Sequence, residues 1–527
     1  MSKEYWHHLW LGLTLGFLIS CGPQSDTPSP EGAERNGQLI FGGDVFLTRY
    51  AHVPIDRHGY DHPFAGIQHW LDDSDAVLIN LEAVLNAQGR ANSNKGERSP
   101  FLFRGRPDLA QVLHSAGVTM VTGANNHVGD YGPEGVAEQL EILAAAGIEA
   151  TGIGQSWRDA RRYRRMSVGN LVVAVIGVDS TMPHFKAGWR RPGTFYLDER
   201  RPNAYVRAVH RQVRRARRES DLVLMTVHWG PNGADRPTEE RRELAARLIR
   251  EAGVDAILGH SAHRIQGVEV IDGKPVVYDA GNMLLDYRGS TWEAQSLLFE
   301  LSLTPGGVSE IVFRPIQLHH TRTVPAEGEI AEAIMERLIT LSREFDADFA
   351  VQDNRLKLPQ RDTATAGKHS LEPLTVSSLP SRDSVHPAAL VDQLPDDLIP
   401  VNHVFSNGMT LLGVRPVPAE VQHRYGFFVT SYWKTDSPVH QSALITVRLR
   451  PDDEGPVWAN RDTYRFHQPG DWSYPTDLWQ PGEIVEDHYF VRGHQGAAIT
   501  EHGIYLGVDV GGRLLGEVRI GEITVVP

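Results

Sequence analysis

Apolar runs punctuated by glycine, proline and asparagine divide this chain into stretches of different character. From Gln38 onward, short apolar segments alternate with longer amphipathic ones. Leu39-Ile40-Phe41, Ala76 to Ile79, Val118 to Val121, Leu171 to Val178, Leu222 to Val227 and Ala256 to Leu258 have the length and composition of buried strands. Helical stretches intervene: one opened by Pro107 and stopping near Gly117, one from Pro133 to Ala146 closed by Gly147, a basic one from Asn203 to Ser220, and one from Thr238 to Ala252. Asp272-Gly273 predicts a hairpin turn between Val268–Ile271 and Pro275–Tyr278. Strands near 294–303 and 309–315 and a helix near 327–345 follow. Alternation of this kind predicts a layered α/β fold over residues 38–352.

Residues 353–395 lose the periodicity and are dominated by Pro, Ser, Thr, Asp and Ala, which reads as a linker. Over 396–527 the pattern returns without helices. Met409 to Val414, Tyr425 to Trp433, Ser442 to Leu449, Ile504 to Val510 and Glu517 to Val526 recur between turn residues and predict an all-β sandwich.

The amino-terminal stretch reads differently. Lys3 and two histidines precede an apolar run from Leu9 to Ile19. That run is short of the roughly 20 residues that span a bilayer and has the layout of a signal peptide. It ends in Leu18-Ile19-Ser20-Cys21-Gly22, which resembles the lipobox of bacterial lipoproteins, whose cysteine is lipidated. Residues 1–21 are therefore expected to be a lipoprotein signal peptide and residues 22–37 a flexible tether. Because Gly22 rather than Asp follows the cysteine, the resemblance implies an exported protein on the periplasmic face of the outer membrane. Cys21 is the only cysteine, so no intrachain disulfide can form and the domains rely on core burial.

Composition narrows the function classes. Of 527 residues, 41% are hydrophobic and 22% charged, as in ordinary globular proteins. A formal net charge of -14 disfavours nonspecific nucleic-acid binding, so no nucleic-acid partner is expected. Two arginine-rich stretches, Arg158 to Arg165 and Arg211 to Arg218, read as solvated helix faces, or as surfaces for an anionic polymer or lipid headgroups. Trp433, Trp472 and Trp479 could stack on sugars or fill the sandwich core.

The residues able to do chemistry share one position. Asp44, Glu82, Asn126 with His127, His228, and His260 with His263 each follow the carboxyl end of an apolar strand. Ligands of layered α/β folds bind in the crevice at those ends. Singly, each has a bland reading: a turn or cap for Asp44 and Glu82, a hydrogen-bonded structural histidine for His228 or His260. Jointly they form a metal-ligand set, because buried polar groups are costly unless paired. Carboxylate and imidazole without thiolate suit Mn, Fe, Zn or Mg. Trp229 and Tyr287 are candidates for the walls of the pocket.

Residues 38–320 resemble the CapA family, the capsule and poly-gamma-glutamate synthesis proteins, which look like relatives of calcineurin-type metallophosphoesterases. The matching segments are Gly43-Asp44-Val45, Asn80-Leu81-Glu82, Ala124-Asn125-Asn126-His127 with Asp130 and Gly132, His228-Trp229-Gly230, Gly259-His260 with His263 and Gln266, and Tyr278 to Asn282. The resemblance implies a calcineurin-like α/β sandwich that binds one or two divalent ions. Asp44 would be the first metal-ligating carboxylate and Glu82 would replace the metal-bridging aspartate of phosphoesterases. Asn126 would be a further ligand. His228 and His260 would bind the second ion and His263 the first. His127, with Asn126, would act catalytically, contacting the leaving group or the substrate oxyanion. Two departures stand out: Phe46 occupies the position of a phosphoesterase histidine, and Gly259-His260-Ser261-Ala262-His263 is one residue longer than the usual Gly-His-x-His.

The expectation is thus an exported, lipid-anchored, metal-dependent phosphoesterase-like hydrolase or transferase of capsule, poly-gamma-glutamate or other cell-envelope polymer biosynthesis. Its partners would be the membrane, an anionic polymer or polysaccharide substrate, and capsule-synthesis proteins. The alternative is a non-catalytic polymer-binding, assembly or tethering factor on the same scaffold.

Overall fold

The computed structural model describes residues 36–48, 51–92, 95, 101–286, 291–346, 349–359, 369–382, 389–422, 426–450, 474–491 and 500–527. Cys21, Tyr287 and Trp472 lie outside them, as do the expected signal peptide and most of the tether.

The amino-terminal part is built on two sheets. The first takes β1 (Gly37–Val45), β2 (Ala76–Leu81), β3 (Val118–Thr122) and β4 (Glu149–Thr151). The second takes β5 (Arg164–Val168), β6 (Leu171–Asp179), β7 (Leu222–His228), β8 (Ala256–His260), and the predicted hairpin β9 (Val268–Ile271) and β10 (Lys274–Val277). The chain then returns to the first sheet through β11 (Asn282–Leu284), β12 (Gln295–Thr304), β13 (Gly307–His319), β14 (Arg322–Pro325) and β15 (Arg355–Lys357). Spatial order is β14-β13-β12-β1-β2-β3-β4, with β11 on β1 and β15 on β13, in one sheet, and β9-β10-β8-β7-β6-β5 in the other. Strands β1 to β4 pair in parallel, as do β6, β7, β8 and β10.

Side-chain alternation decides how these sheets stack. Leu39 and Phe41 of β1, Leu78 of β2, Val173 and Val175 of β6, Leu224 of β7 and Leu258 of β8 share one core between the sheets. The alternate residues Ile40, Val77 and Ile79 pack outward against Leu109, Leu113, Val136 and Leu143 on flanking helices. On the far side, Ile176, Val223, Met225 and Val227 pack against helices α2 (Pro202–Ala216) and α3 (Glu239–Arg247), after α1 (Gly132–Ala145) has covered the first sheet. The result is four layers, helix–sheet–sheet–helix. Both faces of the central strands are buried, which is why they read as unbroken apolar runs rather than alternating ones. Each fully buried aliphatic side chain contributes about 1.5–3 kcal/mol by leaving water. Basic α2 follows from the same geometry: Val206, Val209 and Val213 face the sheet, while the arginines between them stay outside.

Residues 389–527 have a separate core. One sheet orders β16 (Leu390–Val391), β22 (Ile484–Val491), β20 (Phe427–Thr435), β18 (Met409–Val414) and β17 (Ile399–Val404). The other orders β19 (Glu420–Gln422), β24 (Arg513–Val526), β23 (Glu501–Val510) and β21 (Leu444–Arg450). Trp433 and Trp479 are 0% and 2% exposed within that shared core, so these two rings fill the sandwich instead of facing a sugar.

The stretch 353–395 expected as a linker is more engaged than its composition suggests. Arg355–Lys357 extends the first sheet and Leu390–Val391 the sandwich. Between them Ser377 N donates to Ala145 O (2.9 Å) at the end of α1, and Gln111 Nε2 donates to Pro380 O (2.5 Å). Arg382 pairs with Asp56 of the α/β part (3.4 Å) and Asp477 of the sandwich (2.8 Å). Among the described residues no helix is long and apolar enough to cross a membrane.

Candidate metal centre

The site begins where β1 breaks register. Gly42 and Gly43 form an irregularity between Phe41 and Asp44, and the Gly281–Met283 segment passes directly over them. A Cβ on Gly43 would lie 1.8 Å from Gly281 O, so only glycine admits this approach. Asp44 N donates to that same carbonyl (2.9 Å), which locks the carboxylate at the sheet's edge.

Parallel register then levels the other groups. Asp44 is opposite Asn80, and His228 is opposite both His260 and Asp179. Asn80 Nδ2 donates to Asp44 Oδ1 (2.7 Å) and Glu82 Oε2 (3.3 Å). Asn125 holds Asn80 in turn, donating to Asn80 Oδ1 (3.0 Å) and Leu81 O (2.8 Å) while its own oxygen accepts from His127 N and Val128 N. His228 Nε2 donates to Asn126 Oδ1 (3.0 Å). His228 Nδ1 and His260 Nδ1 lie 2.8 Å apart, so they share a proton or a cation. His260 Nε2 meets Thr226 Oγ1 at 3.0 Å.

The lengthened final motif is absorbed by backbone conformation. Ser261 and His263 take φ values of 123° and 60°, which non-glycine residues seldom adopt. Asp279 stabilises this turn by accepting from Ala262 N (2.6 Å) and Gly281 N (2.9 Å). His263 Nδ1 thereby reaches Asp44 Oδ2 at 2.9 Å despite the extra residue. Phe46 packs its ring 5.5 Å from that of His263 and edge-on to Phe103, making an apolar wall beside His263.

Two donor sets result: Asp44 with His228 and His260, and Asp44 with Glu82 and His263. All five are buried. Glu82 Oε1 provides the test of whether an ion fits. It is buried without a hydrogen-bond partner. Three imidazole nitrogens face it from just beyond hydrogen-bonding range: His263 Nε2 at 3.7 Å, His228 Nε2 at 3.9 Å and His127 Nε2 at 4.0 Å. An orphaned buried carboxylate oxygen costs at least about 1–3 kcal/mol, and a cation among these donors removes that cost. The donor set fits a divalent ion of the Mn, Fe, Zn or Mg type.

Electrostatics agree with a centre short of positive charge. Burial pushes Glu82 far above the usual carboxylate range, and the Asp44 charge adds to this. Burial and the Asp44 charge likewise push Asp279 up to about 8. Burial would also raise Asp44, but the hydrogen bond and charge of His263 outweigh it and hold Asp44 low. Burial brings His260 down to about 4 and holds His228 well below its ordinary value, with the His260 charge adding to the latter. His263 goes the other way: its hydrogen bond to Asp44 overcomes burial and raises it.

His127 stands at the rim of the group. Its Nδ1 donates to Asp130 Oδ2 (2.7 Å), which leaves Nε2 facing the centre. Asp130 also accepts from Phe103 N (2.8 Å) and pairs with buried Lys95 (2.8 Å), whose Nζ is 3.1 Å from His127 Nδ1. The structure thus gathers Asp44, Glu82, Asn126, His127, His228, His260 and His263 at one place. Asn80, Asn125, Asp130 and Asp279 lie within the matching segments without a role that the sequence assigns, and Lys95 lies outside them. Trp229 belongs to the core: it is 2% exposed, stacks on Tyr278 and donates to Tyr278 O (2.8 Å).

Residues 38–287 match the profile of the bacterial capsule synthesis protein family PGA_cap. This segment, a little under half of the chain, is similar to the family of the CapA proteins. Its relatives include the capsule biosynthesis protein CapA of Bacillus anthracis, 24% identical over 60% of this chain and 76% of that protein. The PGA biosynthesis protein CapA of Bacillus subtilis (strain 168) is 27% identical over 60% of this chain and 80% of its own length. A probable polyglutamine synthesis accessory protein of Mycobacterium tuberculosis is 29% identical over 52% and 73%. Among solved structures, a beta-glucosidase from Listeria innocua aligns with 12% identity over 74% of this chain and 50% of that one, but its TM-score of 0.15 carries no inference. Asp44, Glu82, His228, His260 and His263 all fall inside the family match.

Proposed function

We propose that this chain is a metal-dependent hydrolase or transferase acting in capsule, poly-gamma-glutamate or other cell-envelope polymer biosynthesis. The observation that carries the reading is the partnerless oxygen Glu82 Oε1, enclosed by three imidazoles between two donor sets that share Asp44. The four layers, with the polar set where parallel strands of both sheets end, support a calcineurin-like scaffold. The relatives named for capsule and PGA biosynthesis support the polymer.

Asp44, Glu82, His228, His260 and His263 would hold one or two divalent ions, with Asn126 beside His228. Such an ion supplies Lewis acidity, polarising a phosphoryl or acyl oxygen and lowering the pKa of water. The protein's own residues do the rest. Asn80 and Asn125 fix the carboxylate positions. Asp130 fixes the His127 tautomer so that Nε2 can move a proton to or from a reacting oxygen. Phe46 and Phe103 keep water from the His263 side.

Purified protein should contain divalent metal by elemental analysis and hydrolyse a generic phosphodiester with added manganese. His127→Gln should lower turnover by about 10²–10⁴-fold while metal content stays unchanged. A metal-free protein with no such activity would overturn the reading. Phe46 favours a second reading, a non-catalytic assembly factor, since it removes one ligand of the phosphoesterase pattern. Polymer capture that survives chelation, without turnover, would establish it.

The lipobox resemblance at Cys21 supports export and anchoring at the periplasmic face of the outer membrane. Labelled palmitate should attach to the wild type and not to Cys21→Ser, and the variant should leave the membrane fraction. Equal labelling of both would rule the anchor out.

A further inference from the structure

The two arginine-rich stretches meet around a pair of tryptophans. Trp157 and Trp189 lie with ring centroids 6.2 Å apart. Arg161 stacks 3.9 Å above the Trp157 ring, and Arg158 lies 4.6 Å from the ring of Trp189. Arg211 and Arg215, one turn apart on α2, are exposed, and the charges of both act on Arg161. Partial burial, then the charges of Arg215, Arg211 and Arg158, hold Arg161 below the usual guanidinium range, which places all four cations in one field.

This cluster differs from an ordinary solvated face in two ways. Arg164 and Arg165 of the same stretch are paired with Asp159 and Glu219. Arg158, Arg161, Arg211 and Arg215 have no carboxylate within ion-pair distance among the described residues, in a chain of net charge -14. Trp189 is also 62% exposed, although leaving so large a ring in water is unfavourable.

Position adds the third observation. Residues 180–194 run from the metal centre to this cluster. Ser180 N donates to His228 O (2.9 Å). The ring of Phe185 lies against Gly129 and 5.8 Å from Lys95 Nζ. Gly188 O then accepts from Trp157 N (2.7 Å). Trp189 is four positions after Phe185, so their Cα atoms are within about 14 Å of each other.

We propose that Trp189, Arg158, Arg161, Arg211 and Arg215 form a subsite for a polymer bearing repeated carboxylates, holding the chain whose reacting end lies at the metal centre. Guanidinium forks take carboxylates in paired hydrogen bonds, and the tryptophan faces cover the apolar parts of the repeat. The placement rests on the function proposed above, whereas the binding itself does not require metal.

The test uses full-length protein with fluorescent poly-gamma-glutamate and a polyuronate as probes, dextran as the neutral control, and vesicles containing anionic phospholipid. Wild type should bind at least one of the acidic polymers, more weakly as salt screens the charges. The triple variant Arg158→Ser/Arg211→Ser/Arg215→Ser and Trp189→Ala should each bind it at least tenfold more weakly, with wild-type metal content. Preference between the two polymers identifies the repeat. Retained affinity in both variants, equal binding of dextran, or binding to vesicles alone would overturn the proposal. Loss of metal with polymer binding intact would overturn only the function proposed for the centre.

Discussion

Asp44→Asn is expected to abolish high-affinity divalent metal binding, because Asp44 is the one residue common to both donor sets. Asparagine is isosteric and can still accept from Asn80 Nδ2, so the fold should survive. What it removes is the permanent charge that faces His263, His260 and His228. The loss should exceed the roughly 10–100-fold that removing an outer-shell partner costs. Glu82→Gln separates charge from shape in a second way. Burial raises Glu82 in the ion-free protein, so the neutral, isosteric glutamine should leave apo stability intact. Metal affinity should nonetheless fall, since a neutral amide replaces the carboxylate that an ion would ionise. Elemental analysis after gel filtration and manganese titration calorimetry read both outcomes. Unchanged stoichiometry and affinity in Asp44→Asn would end the metal reading.

Much of this site was legible because parallel strands deliver their last residues to a common edge. Asp44, His228 and His260 each follow an apolar run that could be recognised by length, and register then made them neighbours. The scaffold around them was harder to read. Asn80 and Asn125 stand within the same motifs as Glu82 and Asn126, yet nothing local distinguishes an amide that holds carboxylates from one that faces a ligand. Lys95 lies in a loop without periodicity, and its contact with Asp130 depends on a fold across 35 residues of chain. Asp279 follows the hairpin strand expected to end at Tyr278, and only the fold shows that it ties Ala262 and Gly281. The Gly-His-Ser-Ala-His motif is one residue longer than the usual Gly-His-x-His. Left-handed backbone at Ser261 and His263, which no sequence pattern announces for such residues, brings His263 back to Asp44. In the sandwich, Ile399–Val404 escaped notice because most of its side chains are exposed and it carries Pro400 and Asn402. The linker reading of 353–395 erred at its ends for a related reason: strands of two or three residues carry no measurable period.

The ion-free protein should lose stability as pH rises from about 6.5 to 8, and metal should reverse the trend. Asp279 carries its proton up to about 8 when folded, against 3.8 ordinarily, so between those values the folded state holds more protons than the unfolded one. Stability contributed by such a group is complete below the unfolded value and is lost as pH climbs through the folded one. Glu82 and His263, both raised, act in the same direction. His260 opposes them: brought down from 6.5 to about 4, it makes the folded state the poorer proton binder and loses stability as pH falls through that interval. The opposed trends offset below 6.5, the ordinary histidine value, and the net fall emerges above it. Over the remaining 1.5 units or so, Asp279 alone accounts for about 2 kcal/mol at about 1.4 kcal/mol per unit. A bound divalent ion replaces those protons, and ligation strengthens as carboxylates and imidazoles deprotonate. Calorimetric melts in chelator should therefore shift to lower temperature between pH 6.5 and 8, while melts with saturating manganese hold or rise. Parallel curves with and without metal would mean that the buried carboxylates of this centre are balanced by the protein itself, and that the partnerless Glu82 oxygen awaits no ion.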